Sequence, residues 1–148
     1  MKKSTFIIGV ISSFLFLFGV AMKFEHWPGA GIVITLAAVL FAFGYSVLLM
    51  IDKNVFAQNS FQKLVNLMTM ISMTIIMIAF VFKAQHWPGA RIGIYAGHLL
   101  LLAMIPILFL HASKESDPAK KLNFNNEAIL LVLLTGFSFF IWLVRSIS

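Results

Sequence analysis

The chain contains no cysteine, and among its 148 residues only five are acidic. Without cysteine there is no disulfide framework, no thiolate metal site and no cysteine nucleophile. Charged residues make up only 11% and hydrophobic residues 61%. A soluble domain this small has too little interior to hide so much apolar surface, so its solvent is read as lipid. Long apolar runs stand where the charges are missing. No Asp or Glu falls inside any of them: Glu25, Asp52, Glu115, Asp117 and Glu127 all lie outside. The net charge of +6 comes from Lys and Arg between the runs. In a membrane protein such an excess sets orientation, and no nucleic-acid partner is expected from it.

Five uncharged runs cover 5–22, 30–51, 64–82, 92–110 and 128–144. A hydrocarbon core about 30 Å thick takes about 20 helical residues, with a range near 17–25. All five runs fall in that range, the last at its lower edge. In lipid the backbone must bond to itself, and the runs lack the period-two alternation of a barrel, so each is expected to be a helix. Met-Lys-Lys followed by an apolar run and Gly19-Val20-Ala21 looks like a secretory signal with its cleavage site. A repeat argues against cleavage there, because removal up to Ala21 would cut one repeated unit in half.

The repeat is the most informative feature. Lys23-Phe24-Glu25-His26-Trp27-Pro28-Gly29-Ala30-Gly31 returns sixty residues later as Lys83-Ala84-Gln85-His86-Trp87-Pro88-Gly89-Ala90-Arg91. Each copy joins two apolar runs. The reading is an all-α integral membrane protein with five transmembrane helices: two tandem parallel helical hairpins and one C-terminal helix. The parts are a first hairpin (1–51), a cytoplasmic connector (52–63), a second hairpin (64–110), a cytoplasmic linker (111–127) and the last helix (128–148). The inner segments carry Lys2, Lys3, Lys53, Lys63, Lys114, Lys120 and Lys121, and the outer ones Lys23, Lys83, Arg91 and Arg145. That bias expects a cytoplasmic N-terminus and a C-terminus and both turns on the periplasmic face of a bacterial inner membrane. The repeats are then related by an axis along the membrane normal.

The turn motif has a physical reading at every position. Trp27 and Trp87 suit the membrane–water boundary. Pro28 and Pro88 stop the incoming helix, and proline is tolerated in the first turn of the outgoing one. Gly29 and Gly89 allow a sharp reversal, followed by the slim Ala30 and Ala90. Lys23 and Lys83 face the negative helix ends. Glu25 could pair with Lys23, but Gln85 replaces it in the second copy. His26 and His86 are open between a polar cap bonding freed carbonyls and a proton relay or metal or haem ligand. His98 lies inside the fourth helix, where an ionisable side chain is a functional candidate. The plainer alternative is a hydrogen bond to Thr69, Ser72 or Thr74. Gly93 and Gly97 form a Gly-x-x-x-Gly surface for close helix packing, with Ala38 and Ala42 as a similar stripe. Pro106 is expected to kink the fourth helix. No catalytic residue, cofactor or metal site is read from the sequence, and no small-molecule substrate.

The phrase Lys-x-x-His-Trp-Pro-Gly-Ala on a two-helix hairpin resembles the GldL family, the inner-membrane motor subunits of gliding motility and type 9 secretion in Bacteroidota. The resemblance covers each hairpin separately, most of 5–110. It implies a helical-hairpin inner-membrane protein with a cytoplasmic N-terminus that assembles with other membrane subunits, and it places Lys23, Lys83, His26 and His86 at the family's polar turn. The family's motor subunit carries an intramembrane glutamate in its second helix; Tyr45 and Ile105 occupy that region here. The long cytoplasmic tail is also missing. The expectation is therefore a duplicated relative without the motor's carboxylate, a non-enzymatic accessory subunit whose partners are the lipid bilayer and other membrane subunits or copies of itself. The competing expectations are a proton or ion pathway through Lys23, Lys83, His26, His86 and His98, and a membrane enzyme or haem carrier.

Because the chain has no cysteine, single cysteines can report the topology. A membrane-impermeant maleimide applied to intact cells should label His26→Cys and His86→Cys equally, and Lys63→Cys only after the membrane is opened. Protection of one turn and not the other overturns the parallel duplication.

Overall fold

The computed structural model describes residues 2–55, 57 and 59–147, with side chains described up to 136 except Leu134. Five helices follow one another: α1 (Lys3–Phe24), α2 (Ala30–Val55), α3 (Ser60–Ala84), α4 (Ala90–Lys114) and α5 (Pro118–Ile147). No strand occurs among the described residues. Helices α1 to α4 are each long and apolar enough to cross a membrane. The shortest has 22 residues and the longest 26, about 33–39 Å at 1.5 Å per residue and thus beyond a core of about 30 Å. The chain forms two compact units, Met1–Gly97 and His98–Ser148.

The helices run past the apolar runs because their polar ends are capped. Asn59 starts α3, its side chain accepting from Gln62 N–H at 2.8 Å. Asp117 starts α5, accepting from Ala119 N–H at 2.9 Å, with Pro118 in the first helical position. Of the segment 111–127 only 115–117, within the Lys-Glu-Ser-Asp-Pro stretch, is non-helical. Ser116-Asp117-Pro118 is a helix start signal. Pro106 sits inside α4, which continues as helix to Lys114.

Within the first unit the packing follows the logic of helices in lipid. The buried residues of α1 are Thr5, Gly9, Ser12 and Gly19. Its large apolar side chains face outward: Phe14 is 69% exposed and Leu17 68%. In water each such side chain would forgo about 1.5–3 kcal/mol of burial; against acyl chains nothing is forgone. Small residues instead let backbones approach. A Cβ on Gly9 would stand 2.6 Å from the Tyr45 ring, and one on Gly93 2.8 Å from Ala79 Cβ. At Gly97 it would collide with Ile76, with the Ser72 carbonyl at 3.2 Å. Ala38 and Ala42 of α2 are buried.

Helix α2 is interrupted at mid-length by a π-helical turn, Leu40–Tyr45. The wider turn disturbs the i→i−4 ladder. Local hydroxyls bond to it: the Ala42 carbonyl accepts from Ser46 Oγ of α2 and, at 3.4 Å, from Thr74 Oγ1 of α3. Tyr45, at the end of this turn, lies on Gly9 and beside Phe41, ring centroids 5.1 Å apart.

Asp52 corrects a simple reading of the acidic residues. It lies outside the apolar run yet is only 5% exposed. Its carboxylate accepts from Lys2 backbone N–H at 2.7 Å and from Thr5 Oγ1 at 2.8 Å. Asp52 thereby caps the start of α1 from the end of α2 and closes the first hairpin at its open end. Asn54 and Asn66, 2.8 Å apart, tie α2 to α3 at the same end.

Gly97→Val should fold poorly or lower the detergent melting temperature by several degrees, since overpacking costs about 1–3 kcal/mol. Circular-dichroism melts of Gly97→Val beside Gly136→Val, where a Cβ meets nothing within 4 Å, measure it.

Candidate functional site: the paired hairpin turns

The two copies of His-Trp-Pro-Gly-Ala adopt the same backbone. α1 ends at Phe24 and α3 at Ala84. The next residue but one, His26 or His86, is left-handed, with φ of 56° and 59°. Trp27 N–H then reaches back to the Met22 carbonyl at 2.9 Å, and His26 N–H to Lys23 at 3.3 Å. Trp87 N–H reaches Phe82 at 2.8 Å, and His86 N–H reaches Lys83 at 3.3 Å. This is a Schellman cap, which satisfies the orphan carbonyls of a helix end. Its expected apolar contact is present in the second copy, where the Trp87 and Phe82 rings meet edge to face at 5.3 Å.

A second device follows at once. Gly29 and Gly89 have φ of 86° and 92°. In the first copy Ala30 N–H points to the Trp27 carbonyl at 3.5 Å. Trp-Pro-Gly-Ala is thus a type II turn, with proline and glycine at the two positions that require them. Pro28 is therefore not in the first turn of the outgoing helix as expected. That helix begins at Ala30 with Gly29 as its N-cap, and the glycine's left-handed backbone holds Pro28 outside. Every position of the motif except histidine thus holds the residue its geometry favours.

Histidine is the exception. The left-handed position of a Schellman cap is usually glycine. A non-glycine residue there costs about 1–2 kcal/mol, although histidine tolerates the region better than most. Both imidazoles are exposed. They are therefore not caps on a buried turn. The chain keeps an imidazole twice where glycine would serve the backbone better. Lys23 and Lys83 stand in the last turns of α1 and α3, close to the negative helix ends. Trp27 and Trp87 are exposed at the tips.

The two turns lie side by side. Gln85, beside the second turn, donates from Nε2 to the Gly31 carbonyl at 3.0 Å and to Thr35 Oγ1 at 3.1 Å, both on α2. Its amide fills the space a side chain at position 31 would need: a Cβ on Gly31 would stand 2.8 Å from Gln85 Nε2. The repeat differs at positions 24/84, 25/85 and 31/91, and the last two differences are coupled. Gln85 needs Gly31, and a carboxylate in its place could not donate to a carbonyl. Sequence reading treated the Glu-to-Gln change as a lost pairing and missed the bond formed. The glycine facing it was the available signal.

His98 is buried, 3% exposed. Thr69 donates to the Val65 carbonyl at 2.9 Å and Ser72 to the Met68 carbonyl at 2.8 Å, each within α3, and Thr74 donates to the Ala42 carbonyl at 3.4 Å, which leaves each hydroxyl oxygen able to accept. No group of three or more His, Asp or Glu side chains converges among the described residues. The chain matches no family model, no curated protein and no solved structure.

Two substitutions separate backbone from side chain. His26→Gly and His86→Gly should leave the fold intact or stabilise it by up to about 1 kcal/mol each, while His→Val at either site should cost about 2 kcal/mol. Gln85→Glu should cost about 1–3 kcal/mol by turning a donor into an acceptor against the Gly31 carbonyl. Thermal melts of the three classes in one detergent compare them.

Proposed function

We propose that the protein is a non-enzymatic polytopic inner-membrane subunit, structural or accessory to a larger membrane complex. In this reading all five helices span, the N-terminus is cytoplasmic, the C-terminus is periplasmic and both turns face the periplasm. Secretion, gliding or stator-type machinery is the first class of complex to examine, on the resemblance of the turn to the GldL family. A carboxylate-driven motor role is not part of the proposal, because Tyr45 and Ile105 stand where that family places its glutamate.

The observation that supports the reading is the pair of exposed histidines in left-handed backbone. Local strain retained at a solvent-facing position points outward, to something the side chain meets beyond its own hairpin. Exposed Trp27 and Trp87 flank them, and aromatic rings are common anchors at interfaces.

The test uses variants that keep the turn. The tagged protein carrying both His26→Gly and His86→Gly should fold and insert normally, yet lose the integral membrane proteins that co-purify with the wild type in mild detergent. An unchanged set of associated proteins rejects the reading. Buried His98 favours a second reading, a proton pathway. There, His98→Ala should abolish proton flux in proteoliposomes without affecting assembly.

A further inference from the structure

One end of the first unit is positively charged at a depth that its apolar neighbours fix. The two turns lie there side by side, and the end carries Lys23, Lys83 and Arg91 against the single carboxylate of Glu25. Lys23 and Arg91 are exposed. Gly31, the counterpart of Arg91, is covered by Gln85. Outward-facing apolar side chains begin close to both cations. Ile92, 75% exposed, follows Arg91 directly, and Ile32, 67% exposed, lies in the first turn of α2. Phe18 is exposed on the turns of α1 before Lys23. At 1.5 Å per residue these side chains stand about 2–8 Å from the charges along the helix axes. The headgroup layer of a bilayer is about 5–8 Å deep on each face. The residues between the helices, 25–29 and 85–89, fold back on the helix ends, and tips this short stay within that layer. The cations therefore stand level with lipid phosphates. The exposed Trp27 and Trp87 suit the same layer.

We propose that this end binds anionic phospholipid headgroups, with Arg91 and Lys23 as the phosphate contacts. The fork of an arginine holds two phosphate oxygens at once. The lysine stem lies along apolar surface and carries its ammonium up to the same level. A zwitterionic lipid brings a cation of its own, which these charges repel. A lipid of net negative charge brings none, and its acyl chains cover the exposed Ile92 and Ile32 beneath the headgroup. One molecule thus answers both the charge and the apolar surface below it, which a soluble anion cannot do. The inference goes beyond the proposed complex and needs no protein partner. The left-handed histidines take no part in it.

Tryptophan quenching in vesicles reads the lipids at this end. Trp142→Phe leaves Trp27 and Trp87 as the reporters. The full chain is placed in mixtures of phosphatidylcholine and phosphatidylglycerol, with bromine high on the acyl chains of one lipid at a time. Brominated phosphatidylglycerol should quench as if enriched about twofold or more over its share of the mixture. The excess should vanish in about 1 M salt, where the screening length is about 3 Å. Arg91→Gln combined with Lys23→Gln should remove most of it, and Glu25→Gln should raise it. Quenching by brominated phosphatidylcholine that is retained in each variant shows that the variant is inserted and folded. Inorganic phosphate should remove no more of the excess than chloride does at equal ionic strength. Removal by phosphate alone assigns the charges to a soluble anion and overturns the proposal. Equal quenching by the two lipids overturns it as well, and leaves the charges to an acidic segment of a protein partner. An excess that survives the double substitution overturns the assignment to Arg91 and Lys23.

Discussion

Everything in this protein depends on closing the helix ends where an apolar hairpin reverses. The last carbonyls of a helix have no partner within the helix, and here the turn that follows satisfies them itself. The turn achieves this in five residues by joining two local devices. A Schellman cap ends one helix, and a type II turn aims the next. Neither borrows a side chain from elsewhere. Because the turn is self-sufficient, it can be copied, and its exposed side chains are released from structural duty.

Duplication alone would leave two identical turns. What joins them is a departure from identity. Gln85 and Gly31 form a lock that their counterparts, Glu25 and Arg91, cannot form in the same way. Where the first copy has the Glu25 carboxylate the second has the Gln85 amide, which can donate, and where the second has the Arg91 side chain the first has the bare backbone of Gly31, which admits it. At the opposite end Asp52 caps α1, with Ala112 at the corresponding place in the second copy. The first hairpin is thus closed by polar bonds at one end and joined to its neighbour at the other.

Between those ends small residues of one helix admit side chains of another, with many large apolar side chains turned outward. Hydroxyls bond mostly down their own helices, which satisfies them without demanding a partner across the interface. Among the described residues Thr5, which donates to Asp52, is one exception, and another lies at the π turn of α2, where Thr74 of α3 reaches the Ala42 carbonyl. Tyr45 is drawn there onto Gly9. A carboxylate at this place would need a proton or a cation. A ring seated on a glycine needs only space, which accounts for a helix in lipid that carries no charge at its middle.

The helical class and the two apolar hairpins were legible in the sequence, because run length and backbone hydrogen bonding in lipid leave few alternatives. Proline and glycine also announced the reversal, since proline fixes φ and glycine accepts a left-handed φ at little cost in any context. Helix ends were less legible: Ser116-Asp117-Pro118 starts α5 within a charged stretch, and nothing in the pattern around Asp52 announced that it would cap α1. The left-handed histidines, the π turn and the Gln85–Gly31 lock were decided only by the tertiary structure. An amide fifty-four residues away fills the space beside a glycine only after two helices have been brought together, and no local pattern carries that distance.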